Sequence, residues 1–135
     1  MPASTPADIC RIFRQGMAAG DIDAVLEIYD PEVVFLNPSG EARTGKQQLR
    51  EELAPLVAAK ADFAFEIKQI IETADIALMH TRWRVSHPEP MTVYAIEVAR
   101  RQRDGTWRWL IGDPFIVGRF ADSSGHAPLQ QDDSA

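Results

Sequence analysis

The chain has 135 residues, of which 45% are hydrophobic, 8% aromatic and 25% charged. That length supports one domain with its own core and leaves little room for a second, and the apolar share excludes wholesale disorder. Fourteen Lys and Arg against 20 Asp and Glu give a formal net charge of −6, which argues against a nucleic-acid partner, because phosphate binding rests on basic residues.

The single cysteine, Cys10, has no partner for an internal disulfide. Nothing near it in sequence would activate it, so it reads as a buried helix thiol. The N-terminus, Met-Pro-Ala-Ser-Thr-Pro-Ala-Asp, has neither a basic start nor an apolar run, so no signal peptide is expected. No stretch approaches the roughly 18 apolar residues of a membrane span. The expectation is a cytoplasmic protein with no membrane contact.

Thr5, Pro6 and Asp8 form a helix start signal: a cap, a proline suited to the first helical position, and an acid that can reach back. Ile9, Ile12, Phe13 and Met17 recur at helical spacing, and Gly20 is a natural stop. Asp21 caps a second helix with Ile22, Val25, Leu26 and Tyr29 on its apolar face, ending at Asp30-Pro31. Val33 to Leu36 reads as a short strand before the turn cluster Asn37-Pro38-Ser39-Gly40. Thr44 with Gln47 predicts a capping box opening a third helix with Leu49, Leu53, Leu56 and Val57 on one face; Pro55 should kink or shorten it.

From Asp62 the period becomes alternating: Phe63, Phe65 and Ile67 against Ala64, Glu66 and Lys68. A turn at Thr73-Ala74-Asp75 leads to a strand from Ile76 to Ser86, and His87-Pro88-Glu89-Pro90 separates it from another, Met91 to Arg101. Asp104-Gly105 is a hairpin signal that opens a last strand, Thr106 to Val117. Beyond Phe120 the only large apolar residue is Leu129, so the reading is one domain over 1–120 and a disordered tail over 121–135. Helices followed by consecutive hairpin strands predict an α+β fold, with helices packed on one face of an antiparallel sheet. A strongly curved sheet closed by helices leaves a concave apolar pocket for a small ligand.

Three polar residues are candidates to face that pocket. Asn37 shares strand parity with Phe35; it either points inward or bonds nearby backbone as a turn asparagine. Glu97 interrupts the apolar run Val93-Tyr94-Ala95-Ile96-Glu97-Val98-Ala99. A carboxylate there is either desolvated with a raised pKa or paired across the sheet with Arg82, Arg84 or Arg108. Asp113 follows the apolar face Trp107, Trp109 and Ile111, and it serves as a general base or caps the turn at Pro114; Gly112 invites a bulge that would change the parity. Phe13, Phe35, Trp83, Arg82 and Leu110 are assigned to the pocket wall. His80, His87 and His126 are too scattered for a metal site, and no phosphate-binding glycine motif or nucleophile elbow is present, so neither metal nor cofactor is expected.

Gly20-Asp21-Ile22-Asp23-Ala24-Val25-Leu26, then Asp30-Pro31-Glu32-Val33-Val34-Phe35, then Thr44-Gly45-Lys46, resembles the NTF2-like superfamily, closest to its SnoaL-like and ketosteroid-isomerase-like domains. Asp104-Gly105-Thr106-Trp107-Arg108-Trp109 and Gly112-Asp113-Pro114-Phe115 resemble the end of its small stand-alone members. The likeness covers about residues 5 to 118. It implies a cone-shaped, cystatin-like curved sheet closed by N-terminal helices and a homodimer formed through the sheet's outer face.

In the steroid isomerases of that superfamily an aspartate base moves a proton between carbons, while a tyrosine and a neutral aspartic acid stabilise the oxyanion. Carried over by position, the base falls on Asn37, the tyrosine on Phe13 and the neutral acid on Glu97, so only the last role is retained. Limonene epoxide hydrolase, another member, positions water with an asparagine and two aspartates bridged by arginine. Asn37 fits the asparagine, but the Arg-x-Asp pattern reads Arg82-Trp83-Arg84 here, and the last aspartate is displaced to Asp113. The expected function is binding of a small apolar or carbonyl-containing ligand, with cofactor-independent isomerase or hydrolase chemistry at Glu97, Asp113 and Asn37. The alternative is a non-catalytic accessory or binding domain acting as a structural homodimer.

Overall fold

A computed structural model describes residues 2–120; the expected tail lies outside the described residues. Helix α1 (Pro6–Ala19) starts as its sequence requires. Thr5 Oγ1 accepts from the Asp8 N–H, Asp8 accepts from the Thr5 N–H, and Gly20 closes the helix at φ 70°. Helix α2 (Ile22–Glu27) is capped by Asp21, which accepts from the Ala24 N–H. The two helices approach closely at Gly16, where a Cβ would come within 2.7 Å of Val25 Cγ2.

The second helix is shorter than its periodicity suggests. Tyr29 and Asp30 open strand β1 (Tyr29–Leu36), with Tyr29 opposite Trp109 and the Trp109 N–H bonded to the Ile28 carbonyl at 2.8 Å. Asp30 is held extended by Pro31 and by Arg100, whose guanidinium donates to both of its carboxylate oxygens. Strand β2 (Ala42–Thr44) is too short to have shown as alternation. Helix α3 (Gly45–Ala58) has no capping box: Thr44 is committed to β2, and its N–H donates to Gln48 Oε1 at 2.8 Å. The helix runs through Pro55 to Ala58.

Strands β3 (Asp62–Thr73), β4 (Ile76–His87) and β5 (Met91–Arg101) follow as successive antiparallel neighbours. Strand β6 (Trp107–Asp113) ends earlier than expected, and Ile116–Phe120 form a short helix, α4. The fold is α+β: a curved, unclosed six-stranded sheet in the order β2-β1-β6-β5-β4-β3, antiparallel except for the parallel pair β1–β6. Helices α1 to α3 supply Ile9, Met17, Val25 and Leu49 to a core whose other wall is one face of the sheet, including Ala77, Met79 and Trp83 of β4. Burial on that face stabilises the sheet at roughly 25 cal/mol per Å² of apolar surface removed from water.

Candidate functional site

The concave face encloses a cavity of about 100 Å³. Phe13 of α1, Tyr29 and Phe35 of β1, Trp83 of β4, Glu97 of β5 and Trp109 of β6 form its wall, with Leu53 and Leu56 of α3 contributing to it as well. Phe13 is the aromatic hub: its ring lies 5.2 Å from Phe63, 5.2 Å from Trp83 and 5.6 Å from Trp109. Phe13 therefore brings packing and no hydroxyl to the cavity.

Glu97 reaches this face because residues of β5 alternate, with Ala95 and Ala99 beside it buried and Ile96 and Val98 on the opposite side. It is 6% exposed. Oε1 accepts from Thr81 Oγ1 at 3.0 Å and Oε2 from the Trp83 indole N–H at 3.2 Å, and that N–H also lies 2.9 Å from Thr81 Oγ1. Among the described residues no arginine or lysine pairs with it. Burial pushes its carboxyl from 4.5 up to about 7, with the Thr81 and Trp83 hydrogen bonds pulling the other way. Near neutrality the group is thus poised between a neutral acid that donates and an anion that only accepts.

Tyr29 is the polar wall residue that helical periodicity hides, since its spacing from Ile22, Val25 and Leu26 assigns it to the preceding helix. Burial, and then the charge of Glu97, hold its phenol well above the usual range, so it stays neutral and able to donate. Thr81 was also legible only in retrospect: it shares strand parity with Trp83, two residues on. Cys10 is fully buried, and burial, then Glu97, push its thiol far above its ordinary value; it is inert packing.

Four of the sequence-assigned residues lie elsewhere. Asn37 sits just past the end of β1, where strand parity no longer applies. Its Oδ1 accepts from the Ser39 N–H, Ser39 Oγ and the Glu41 N–H, and its Nδ2 donates to Glu41 Oε1, so the side chain is committed to its own turn. Asp113 is turned away by a bulge. Ala99 pairs with Trp109 and Val98 with Ile111, leaving Leu110 as the extra residue, so Gly112 rather than Ile111 lines the cavity. Asp113 then accepts from both terminal nitrogens of Arg119, at 3.1 and 2.8 Å, and from the Phe115 N–H. Leu110 itself is half-buried outside the cavity, and Arg82 lies on the outer sheet face, 3.5 Å from Glu66. Phe13, Phe35, Trp83 and Glu97 are brought together around the cavity. Among the described residues no group of three or more His, Cys, Asp or Glu could hold a metal ion, and no helix is long and apolar enough to cross a membrane.

A curved, unclosed sheet with helices across its concave face, and one acid, Glu97, buried at that face, defines the α+β class of the chain. Residues 10–109 match the family model of the SnoaL-like domain, and the chain belongs to that family. A structure from Thiobacillus denitrificans, provisionally named a calcium/calmodulin-dependent protein kinase type II association domain, superposes with a TM-score of 0.70 at 18% identity, covering 84% of this chain and 98% of that one. A ketosteroid isomerase-like protein from Erwinia carotovora gives 0.63 at 20% identity, over 79% of this chain and 89% of the other. A cystatin-like-fold protein from Nostoc punctiforme gives 0.65 at 14%, over 79% and 84%. At these identities the likeness is one of fold. No curated protein is similar enough in sequence to match.

Proposed function

We propose that the protein binds a small, largely apolar molecule in the cavity, with Glu97 as its polar anchor. The observation that carries this reading is a carboxyl buried against aromatic rings, hydrogen-bonded to Thr81 and Trp83 but, among the described residues, without a cation. A structural carboxylate at this depth would ordinarily be paired, because stranding a charge is costly. A volume of about 100 Å³ is below the about 150 Å³ of a closed apolar cavity that accommodates benzene, so it limits the ligand to one small ring at most, with any substituent in the mouth.

If the ligand turns over, the chemistry supported is proton transfer by one carboxyl. Ionised Glu97 takes a proton from carbon next to a carbonyl, the electron pair moves onto the carbonyl oxygen, and the same proton returns at another carbon. An isomerase of this kind needs no cofactor. Water-adding chemistry has less support, because Asn37 and Asp113 are both held outside the cavity. The commitment of Asn37 and the missing hydroxyl of Phe13 favour binding over fast turnover. We further propose that the molecule is a homodimer joined through the outer sheet face, as an accessory or binding domain would be.

Calorimetric titration with acetophenone at pH 5 and pH 9 tests the ligand reading. Neutral Glu97 can donate to the carbonyl and the anion cannot, so affinity should fall about tenfold as pH rises, the worth of one hydrogen bond. In E97Q, which keeps an N–H donor at every pH, affinity should not vary. No saturable binding of any ring-sized probe at either pH would sink the proposal.

A further inference from the structure

We propose that Thr81 is a positioning residue for Glu97: its hydroxyl, oriented by the Trp83 indole, donates to Oε1 and leaves Oε2 as the oxygen that bears the proton of the neutral acid. This rests on the ligand-binding reading above, in which Glu97 is the working group. The Trp83 indole can only donate, and its N–H lies 2.9 Å from Thr81 Oγ1, so Oγ1 accepts there. A hydroxyl has one proton, and among the described residues the other partner of Oγ1 is Glu97 Oε1 at 3.0 Å. That proton therefore points to Oε1.

The two carboxyl oxygens are then unequal. Protonating Oε1 sacrifices the Thr81 bond and leaves a buried hydroxyl proton poorly accepted, which is penalised. Protonating Oε2 costs little, because its partner, the indole N–H at 3.2 Å, keeps Thr81 at the shorter distance. Thr81 is 1% exposed and does not border the cavity, so it acts there only through Glu97. No other titration competes. The residues opposite Glu97 are Met79 of β4 and Gly112 of β6, and α3 turns Leu53 and Leu56 to the cavity. The titratable groups that feel its charge are Cys10 of α1 and Tyr29 of β1, both pushed up by burial and then by Glu97, so they stay neutral where it titrates. Burial raises the Glu97 carboxyl, and the Thr81 bond holds it below where burial alone would leave it. The pH at which the cavity trades a donor for an acceptor thus depends on a residue outside its wall.

The test is the titration of the Glu97 carboxyl ¹³C resonance, assigned by its loss in E97Q, in ligand-free wild type, T81V and T81S. T81V removes the donor and keeps the shape, so the midpoint should rise from about 7 by about one unit, the worth of a hydrogen bond to a charged acceptor less what the indole makes good. T81S keeps the hydroxyl and should restore the wild-type value. A midpoint that falls in T81V would mean that Glu97 donates to Thr81, with the proton on Oε1, and an unchanged midpoint would leave Thr81 as core packing; either result overturns the proposal. If T81V does not fold, the buried Thr81 hydroxyl proton of wild type decides: it should move downfield as Glu97 ionises, and an unmoved resonance would overturn the assignment. The pH at which acetophenone affinity falls should shift in T81V with the midpoint. If acetophenone does not bind at all, the ligand-binding reading falls, while the ligand-free titration still decides the role of Thr81.

Discussion

At the scale of single residues, Glu97 ties the cavity to stability through its proton. In the folded chain its carboxyl titrates near 7, against 4.5 when free. Between those values the folded state holds a proton that the unfolded chain has released, so stability falls as pH rises from about 4.5 to about 7 and is level above. At about 1.4 kcal/mol per pH unit, the loss is about 3 kcal/mol. E97Q removes the titration while keeping the shape and a neutral hydrogen-bonding group. The melting temperature of wild type, compared with that of E97Q, should therefore drop by on the order of 10 °C between pH 4.5 and pH 8. A wild-type and E97Q pair with parallel profiles would mean that the carboxyl is better compensated than its surroundings indicate. Asp30 titrates in the opposite sense: burial would raise it, but the Glu32 N–H, Gln102 and Arg100 outweigh that and hold it below 3.8, so its contribution disappears only as pH falls through that lowered value.

Elements were legible where local chemistry marks them and illegible where two apolar residues are interchangeable. The start of α1 follows from Thr5, Asp8 and Gly20, because a capping box and a left-handed stop are short-range devices. Glu97 stood out in sequence because one acid amid small apolar neighbours has few explanations. By contrast, Leu110 and Ile111 are both apolar, so alternation does not reveal that Leu110 is the bulged residue, and the inward parity shifts by one from there on. That single register step took Asp113 out of the cavity and gave it to Arg119. Side-chain exposures of 11% and 18% make this pair partly buried, and it fastens α4, which also packs against β5, to the end of β6. R119A should accelerate amide hydrogen exchange across Ile116 to Phe120 while lowering global stability by only about 1 kcal/mol. Unchanged exchange in that segment would show that Phe115 and its neighbours hold α4 without the ion pair.

On the whole-molecule scale the unusual surface is the outer face of the sheet. Helices α1, α2 and α3 cover the concave side, and an exposed sheet face is ordinarily polar. Here Val34 of β1 pairs with Ile111, Ile111 with Val98, and Val98 with Leu78, giving an apolar row across four neighbouring strands. Ile111 is 41% exposed and Tyr94, on the same face of β5, is 45% exposed. The bulge at Leu110 that turns Gly112 toward the cavity also turns Ile111 outward, so one irregularity shapes both surfaces. A contiguous apolar patch of this kind marks an interaction site more often than a solvent face, and a second copy offers a self-complementary partner. Sedimentation equilibrium should give a dimer for wild type and a monomer for I111D, with acetophenone binding retained in both because Ile111 lies on the far side of the sheet from the cavity. A wild-type monomer at tens of micromolar, or an I111D dimer, would remove the outer face as the interface. Loss of ligand binding together with dissociation would instead make the curvature of the sheet, and hence the cavity, depend on the partner.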